Sequence, residues 1–232
     1  MTNKELNIEY NLIIKNIVAP IFKRLGFKKS GTNFYRKTDD IIQVFNFQKS
    51  SMNFENSFSF VGNIGFIEPE TYLKLWKTDS LPKFPKCTDA LIEFRLGTIT
   101  HDGLDYWYKI QNDNRSAALI IQLQKDLILI ENLFENHKTL LSLEKFFSDR
   151  TKISGFYGEL GQFALFKKIG KDKVAKQIIN KVYKKAKKPK SWTNFSTLTN
   201  GVWENQKSKP EVNQSWVARI EEIAILYNEE LK

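Results

Sequence analysis

The sequence predicts an α+β fold: an N-terminal helix, an antiparallel sheet of about five strands covered by helices on one face, and a C-terminal helical extension. Three observations carry this. Apolar residues recur at helical spacing over 4–25. Five runs rich in strand formers then follow over 27–110, without the strict strand–helix alternation of a parallel sheet. From Ser116 the helical period returns.

In the first helix, Leu6, Tyr10, Ile13, Ile14, Ile17, Val18, Ile21, Phe22 and Leu25 make a wide apolar stripe. Pro20 lacks an N–H and predicts a kink or a division, and Gly26 is placed to stop the helix. "FKKSGTNFYRK" reads as a first short strand with Gly31 in a turn. "DIIQVFNFQKS" (40–50), "SFSFVGNIGFI" (57–67), "ALIEFRLGTIT" (90–100) and "LDYWYKI" (104–110) read as the second to fifth strands. "HDG" at 101–103 suits a tight hairpin turn between the last two. The link 68–89, with Pro69, Pro82 and Pro85, holds a helical turn around Tyr72 to Trp76.

Ala117, Ile120, Ile121, Leu123, Leu127, Ile130, Leu133 and Phe134 predict a long helix packed across the sheet, and Leu140 to Phe147 a shorter one. Residues 158–170 and 172–188 predict a helix pair joined at Gly170. Residues 188–210 read mostly as loop, and Pro210 opens a last helix over Val212 to Leu231. The expected organisation is an α+β domain over 1–150 and a lysine-rich helical extension over 151–232.

The 232 residues are 41% hydrophobic and include 18 Phe, enough for a core and against disorder. The single cysteine, Cys87, cannot form an internal disulfide, so nothing points to an oxidising compartment. No basic segment followed by an apolar run marks a secretory signal, and no apolar run is long enough for a bilayer. The expectation is a soluble cytoplasmic protein that does not engage a membrane. The net charge of +10 is uneven: residues 1–150 carry 20 Lys and Arg against 18 Asp and Glu, and residues 151–232 carry 16 against 8. A polyanion partner follows as one reading. Only 6 of the 36 cations are Arg, the residue suited to bidentate phosphate recognition, so lysine as ordinary surface filler is the other.

The stretches "RLGFKKSGTNFYRK" (24–37), "DIIQVFNFQKS" (40–50), "FSFVGNIGF" (58–66), "EFRLG" (93–97) and "DYWY" (105–108) occur in the order of a bacterial family known as domain of unknown function 4304, DUF4304, which the first part of this chain resembles. The family pattern often has two tryptophans where this chain has Tyr106 and Trp107. The resemblance implies a fold unit over about residues 20–110. It assigns no activity and leaves the lysine-rich part outside.

Side chains alternate across a strand. That parity sets Asn46, Gln48, Asn63 and Arg95, with Arg36 from the first strand, on one sheet face opposite Phe45 and Phe47. Gly65 and Gly97 would leave room beside them. The functional reading is an amide- and guanidinium-lined surface for an acidic or polar ligand. The bland reading is the wet face of an antiparallel sheet.

Catalytic signals are weak. His101 and His137 read as surface residues outside any metal-ligand spacing, and Cys87 as a small buried hydrophobe. No phosphate-cradling glycine loop is present. No catalytic residue, metal or cofactor is therefore expected. Residues 167–190 hold 11 Lys and one Asp, with Lys173, Lys176, Lys184, Lys187 and Lys188 as candidate polyanion contacts. Such contacts should be weak and indifferent to nucleotide sequence. The favoured function is a non-catalytic, immunity-like or accessory module that binds another protein. Nucleic-acid binding through the lysine-rich helices is the alternative, and a hydrolase of unknown type ranks third.

Overall fold

A computed structural model describes residues 2–53, 58–110, 116–148, 158–191, 193–199, 202–207 and 209–232. The chain divides into two compact units, Met1–Gly161 and Gln162–Lys232.

The first unit opens with α1 (Asn3–Ile13), started by a capping box in which Thr2 and Glu5 satisfy each other's backbone N–H. A π-helical turn, Ile14–Val18, then leads into α2 (Ala19–Arg24). Pro20 is the reason for the expected division. It offers no N–H to Asn16, and its ring would crowd that carbonyl in a regular helix, so the preceding turn widens and Ala19 N–H donates to Ile14 O.

The stretch read as one short strand is a hairpin, β1 (Lys28–Ser30) and β2 (Asn33–Lys37). It is followed by β3 (Ile42–Lys49) and β4 (Phe58–Ile67), then α3 (Pro69–Trp76). β5 (Ile92–Arg95) is shorter than expected, because Gly97–Thr100 turns into a single helical turn, α4. β6 (Tyr108–Ile110) does not form a hairpin with β5. Both strands pair with β4 instead: β5 opposite Asn63–Phe66 and β6 opposite Phe58–Phe60. Two long helical segments complete the unit, α5 (Ser116–Asn136) and α6 (Leu140–Ser148). All strand pairs are antiparallel, in the order β1-β2-β3-β4-β5 with β6 beside β4. The fold is therefore α+β.

The helices lie on the sheet face that carries Phe34, Phe45, Phe47, Phe60 and Phe66. Phe22 of α2 stacks on Phe34 and Phe45, Tyr10 of α1 meets Phe58 and Phe60, and Phe134 of α5 meets Phe66. Phe47 is fully buried against Phe45, Phe60 and Tyr108. Burial of these rings contributes strongly to the packing of this layer.

The opposite sheet face is not bare. The segment from Lys77 to Ala90 crosses part of it. Phe84 packs edge-on against Tyr35, Cys87 Sγ reaches Asn63 O at 3.4 Å, and Ala90 presses on Gly65. A Cβ at Gly65 would lie 2.5 Å from that of Ala90. Gly65 thus admits the crossing segment and leaves no vacancy for a ligand, contrary to expectation.

In the second unit, α8 (Asp172–Ala186) buries Ala175, Ile179, Val182 and Ala186, and α9 (Gln214–Leu226) buries Val217, Ile220, Ile223 and Ala224. α7 (Gly158–Lys168) precedes them. Residues 188–210, read as loop, contain a hairpin, β7 (Thr193–Thr199) with β8 (Val202–Lys207). The last helix is shorter than the sequence suggested, and Asn213 caps it by accepting from Trp216 N–H.

Candidate functional site

Cross-strand register decides which polar residues share a face, because directly opposed residues of an antiparallel pair project to the same side. Asn33 opposes Asn46, Asn46 opposes Asn63, and Asn63 opposes Arg95. Four strands therefore line up one transverse row of polar side chains on the face away from the helices. Gln48 is the next residue on that face of β3.

Arg36 does not belong to this row. It opposes Gln43, so it lies on the helix face with Phe45 and Phe47. The sequence offered no way to fix the β2–β3 register, and one residue of slip exchanges the faces. Arg36 is buried. It donates to Gln43 Oε1 (2.6 Å), Leu25 O (2.7 Å), Glu135 Oε1 (2.7 Å) and Phe134 O (3.1 Å). It is a brace between the sheet and the ends of α2 and α5.

The remaining four residues form a closed network. Asn63 is 2% exposed and sits at the centre. Its Nδ2 donates to Asn46 Oδ1 (2.7 Å) and Gln48 Oε1 (3.3 Å). Arg95 Nη1 donates to Asn63 Oδ1 (2.7 Å) and Gln48 Oε1 (3.4 Å). Outside this network the Arg95 guanidinium lies 5.6 Å from the Trp107 ring centroid, and its Nε is 3.9 Å from Asp105 Oδ1. Trp107 Nε1–H donates to Asp105 Oδ2 at 3.2 Å. Arg95 keeps 34% of its side chain exposed, and Gln48 and Asp105 are exposed as well. Glu93, two residues before Arg95 on this face, is half-buried. Burial pushes its carboxyl above the usual carboxylate range, opposed by Arg95. The Cys87 thiol is pushed well up, first by burial and then by Glu93. That suppresses the thiolate, so Cys87 sits here as a packed apolar group.

Gly97 was expected to leave room beside the row. A Cβ there would lie 2.5 Å from Leu104 O and 2.5 Å from Tyr106 N. The bareness of Gly97 admits the chain segment 104–106, which carries Trp107 to Arg95.

A second cluster holds that segment from behind. Asp126 of α5 is 1% exposed, and its carboxylate accepts from His101 Nε2 (3.1 Å), Tyr108 Oη and Gln122 Nε2 (3.0 Å). His101 stacks on Tyr106, with centroids 3.7 Å apart and planes 9° apart. The Tyr108 phenol is held far above its usual range by burial and by the adjoining carboxylate. His101 is thus a half-buried anchor rather than a surface residue. Its counterpart His137 donates from Nδ1 to Leu133 O at the end of α5. Sequence reasoning missed Asp126, although a lone acid within the apolar stripe Leu123, Leu127, Ile130 was a signal. It also missed the pairing of Trp107 with Arg95.

A family model described as a domain of unknown function, DUF4304, matches residues 18–136. The chain belongs to the DUF4304 family. No curated protein and no solved structure matches it. Every residue of the amide row, Trp107 and the Asp126 cluster fall inside the DUF4304 region, and α8 lies outside it.

Of the five candidate lysines, Lys173, Lys176 and Lys184 lie on α8 and Lys187 and Lys188 just beyond its end. Lys176 Nζ is 4.0 Å from Glu229, and Lys187 Nζ lies over the Tyr183 ring at 5.0 Å. Lys173, Lys184 and Lys188 are exposed. Lys184 and Lys188 line a shallow cavity of about 390 Å³ together with Gln177, Asn180, Lys181 and Lys185. The last two lysines were not in the candidate set. Among the described residues no three His, Cys, Asp or Glu side chains converge as metal ligands. No described helix is long and apolar enough to cross a membrane.

Proposed function

We propose that this protein is a non-catalytic, accessory or immunity-like module that binds another protein on the face of its DUF4304 sheet opposite the phenylalanine-rich layer. The observation that supports this is the state of Arg95. A partly exposed guanidinium is held in one place by Asn63 and Gln48 and lies over Trp107. Arg, Trp and Tyr dominate the residues that carry binding energy in protein interfaces. Fixing an Arg before binding removes much of the rotamer entropy that association would otherwise cost. The test is crosslinked capture from cells that carry the gene natively, comparing the full chain with an Arg95→Ala/Trp107→Ala variant whose sheet amides stay protected from exchange. A protein captured by the parent and lost from the variant is the expected result. Identical captured sets would refute the reading.

A second reading is favoured by the α8 cavity. Four lysines and two amides gathered along the C-terminal half of α8 and just past its end suit a phosphate backbone. Short duplexes titrated at two salt concentrations test it. Binding that weakens steeply with salt, shows no sequence preference and falls in a Lys184→Glu/Lys188→Glu variant supports it. Equal binding by parent and variant removes it.

A further inference from the structure

The hydrogen bonds within the amide row leave an asymmetry. Of the four side-chain amides on this face, Asn33 at the outer end of the row donates to Ser30 O (3.5 Å), and the oxygens of the three central ones are all engaged inside the network: Asn46 Oδ1 by Asn63, Gln48 Oε1 by Asn63 and Arg95, and Asn63 Oδ1 by Arg95. Both hydrogens of Asn63 Nδ2 are used as well. What remains is Asn46 Nδ2, Gln48 Nε2 and Arg95 Nη2, none of which meets an acceptor among the described residues. An amide in isolation offers donors and acceptors alike. Here the buried Asn63 fixes the orientation of its neighbours, so the centre of the face offers donors only.

The guanidinium adds a shape to this. Its Nη1 is committed inward. The edge formed by Nε and Nη2 is a two-pronged donor of the spacing that fits a carboxylate. The charge nearest that edge is Asp105, at 3.9 Å from Nε. That is an ion contact, too long for a hydrogen bond. Asp105 is 56% exposed, and its other oxygen is occupied by Trp107 Nε1–H. So a carboxylate of this chain stands at the rim of the fork without filling it. Glu93, the other acid on the face, is half-buried within electrostatic reach of Cys87 and Arg95.

We infer that the face receives an acidic segment of the partner protein, one carboxylate of which binds side-on to the Nε–Nη2 edge of Arg95 while Asn46 and Gln48 donate to its neighbouring carbonyls, with Asp105 as an internal competitor for the same edge. This rests on the reading of the face as a protein-binding surface. It predicts opposite signs for two substitutions within 4 Å of each other. Removing the charge of Asp105 clears the fork and tightens binding. Removing Arg95 destroys it. A basic or donor-rich partner would find no acceptor at the centre of the face.

The probes are a blocked tetra-glutamate peptide and its tetra-glutamine isostere, titrated into the isotope-labelled full chain at about 0.15 M salt, where long-range attraction to the lysine-rich unit is screened. The readout is local: the side-chain amide signals of Asn46 and Gln48 and the Nε–H signal of Arg95. Tetra-glutamate is expected to shift these three at least about ten-fold more tightly than tetra-glutamine. Asp105→Asn should tighten the glutamate titration by about three- to ten-fold, and Arg95→Gln should abolish it. Arg95→Lys should recover only a small part, since an ammonium cannot fork. Equal shifts by both peptides, or weaker binding in Asp105→Asn, would overturn the inference. Silence of the three signals with tetra-glutamate, while native capture still depends on Arg95 and Trp107, would overturn the carboxylate alone and leave the protein-binding face standing. Capture indifferent to both residues would overturn the face as the protein-binding site, and the peptide arms would still decide the carboxylate.

Discussion

Arg36→Ala should destabilise the first unit by about 2–5 kcal/mol, and the figure follows from which acceptors lose their only partner. Four atoms accept from this guanidinium. Phe134 O keeps a donor in Gln43 Nε2 at 2.8 Å, and the partly exposed Glu135 carboxylate, which loses Arg36 at Oε1, stays paired through Oε2 with Lys138 at 2.6 Å. Gln43 Oε1 is fully buried and is orphaned, at about 1–3 kcal/mol. Leu25 O is half-buried and adds about 0.5–1 kcal/mol. The guanidinium also lies 4.9 Å from the Phe27 ring centroid, a contact of about 0.5–1 kcal/mol. Arg36→Met retains the stem but leaves the same acceptors unpaired, so it should recover little. Arg95→Ala orphans one buried acceptor, Asn63 Oδ1, but water reaches the gap left by a partly exposed side chain, so it should cost less, about 1–2 kcal/mol. The assay is urea unfolding followed through amide exchange of β2 and β3, which reports this unit alone. A 3 kcal/mol loss moves the midpoint by about 1–3 M. Equal midpoints for Arg36→Ala and Arg95→Ala would refute the assignment of one to the packed face and the other to the opposite, partly exposed face.

Other consequences are open to the same measurements. Phe47→Ala should cost about 3–5 kcal/mol, since it empties a site bounded by Phe45, Phe60 and Tyr108, and Gln48→Ala about 1 kcal/mol or less; equal losses would contradict the facing of β3. The Glu135 carboxyl is lowered from 4.5, chiefly by the Lys138 hydrogen bond and then by Arg36. Its folded value lies below its unfolded one, so its contribution is present above about pH 4.5 and lost as pH falls through the folded value. Glu135→Gln should therefore differ from the parent at pH 7 and match it near pH 2–3, as paired urea melts would reveal; a gap that persists in acid would exclude this origin. Asp126→Asn should loosen residues 101–107 before the sheet, seen as faster amide exchange there with a global loss of about 1–3 kcal/mol; unchanged exchange would show that Asp126 does not hold this segment.

Elements with strong local signals were legible. The stripe from Leu6 to Leu25, the break at Pro20 and the facing of Phe45 and Phe47 follow from spacing and from the missing N–H of proline. What depends on chain-distant partners was not. Arg36 and Asn46 both sit in polar, strand-forming runs, and only the β2–β3 register tells that one is buried and the other is not. Gly65 and Gly97 read as space for a ligand, yet each admits a stretch of the same chain, Ala90 in one case and residues 104–106 in the other. Besides Asp126, one other miss had a signal. The pair Asn200–Gly201, flanked by "TNFSTLT" and "VWENQK", is a strong hairpin cue, and reading 188–210 as loop passed over it.

The course of the chain between Arg95 and Tyr108 shows how Arg95 and Trp107 come together on one face. Had "HDG" closed a hairpin, β5 and β6 would lie side by side, and Trp107 would be one strand further from β4 than Arg95. Instead both strands compete for the same edge of β4, β5 taking Asn63–Phe66 and β6 taking Phe58–Phe60. The chain must then leave the sheet after Arg95 and return to the same edge at Tyr108. α4 makes the exit, and the bareness of Gly97 lets the return pass close over it. Asp126 fixes the return by gripping His101 before it and Tyr108 after it. Strand parity does the rest. Tyr108 opposes Phe60 on the helix face, so Trp107, one residue earlier, falls on the side of Arg95. The partly exposed Arg–Trp pair is thus set by a buried carboxylate on the far side of the sheet, and a substitution at Asp126 should weaken the proposed partner binding although that residue touches no part of the face.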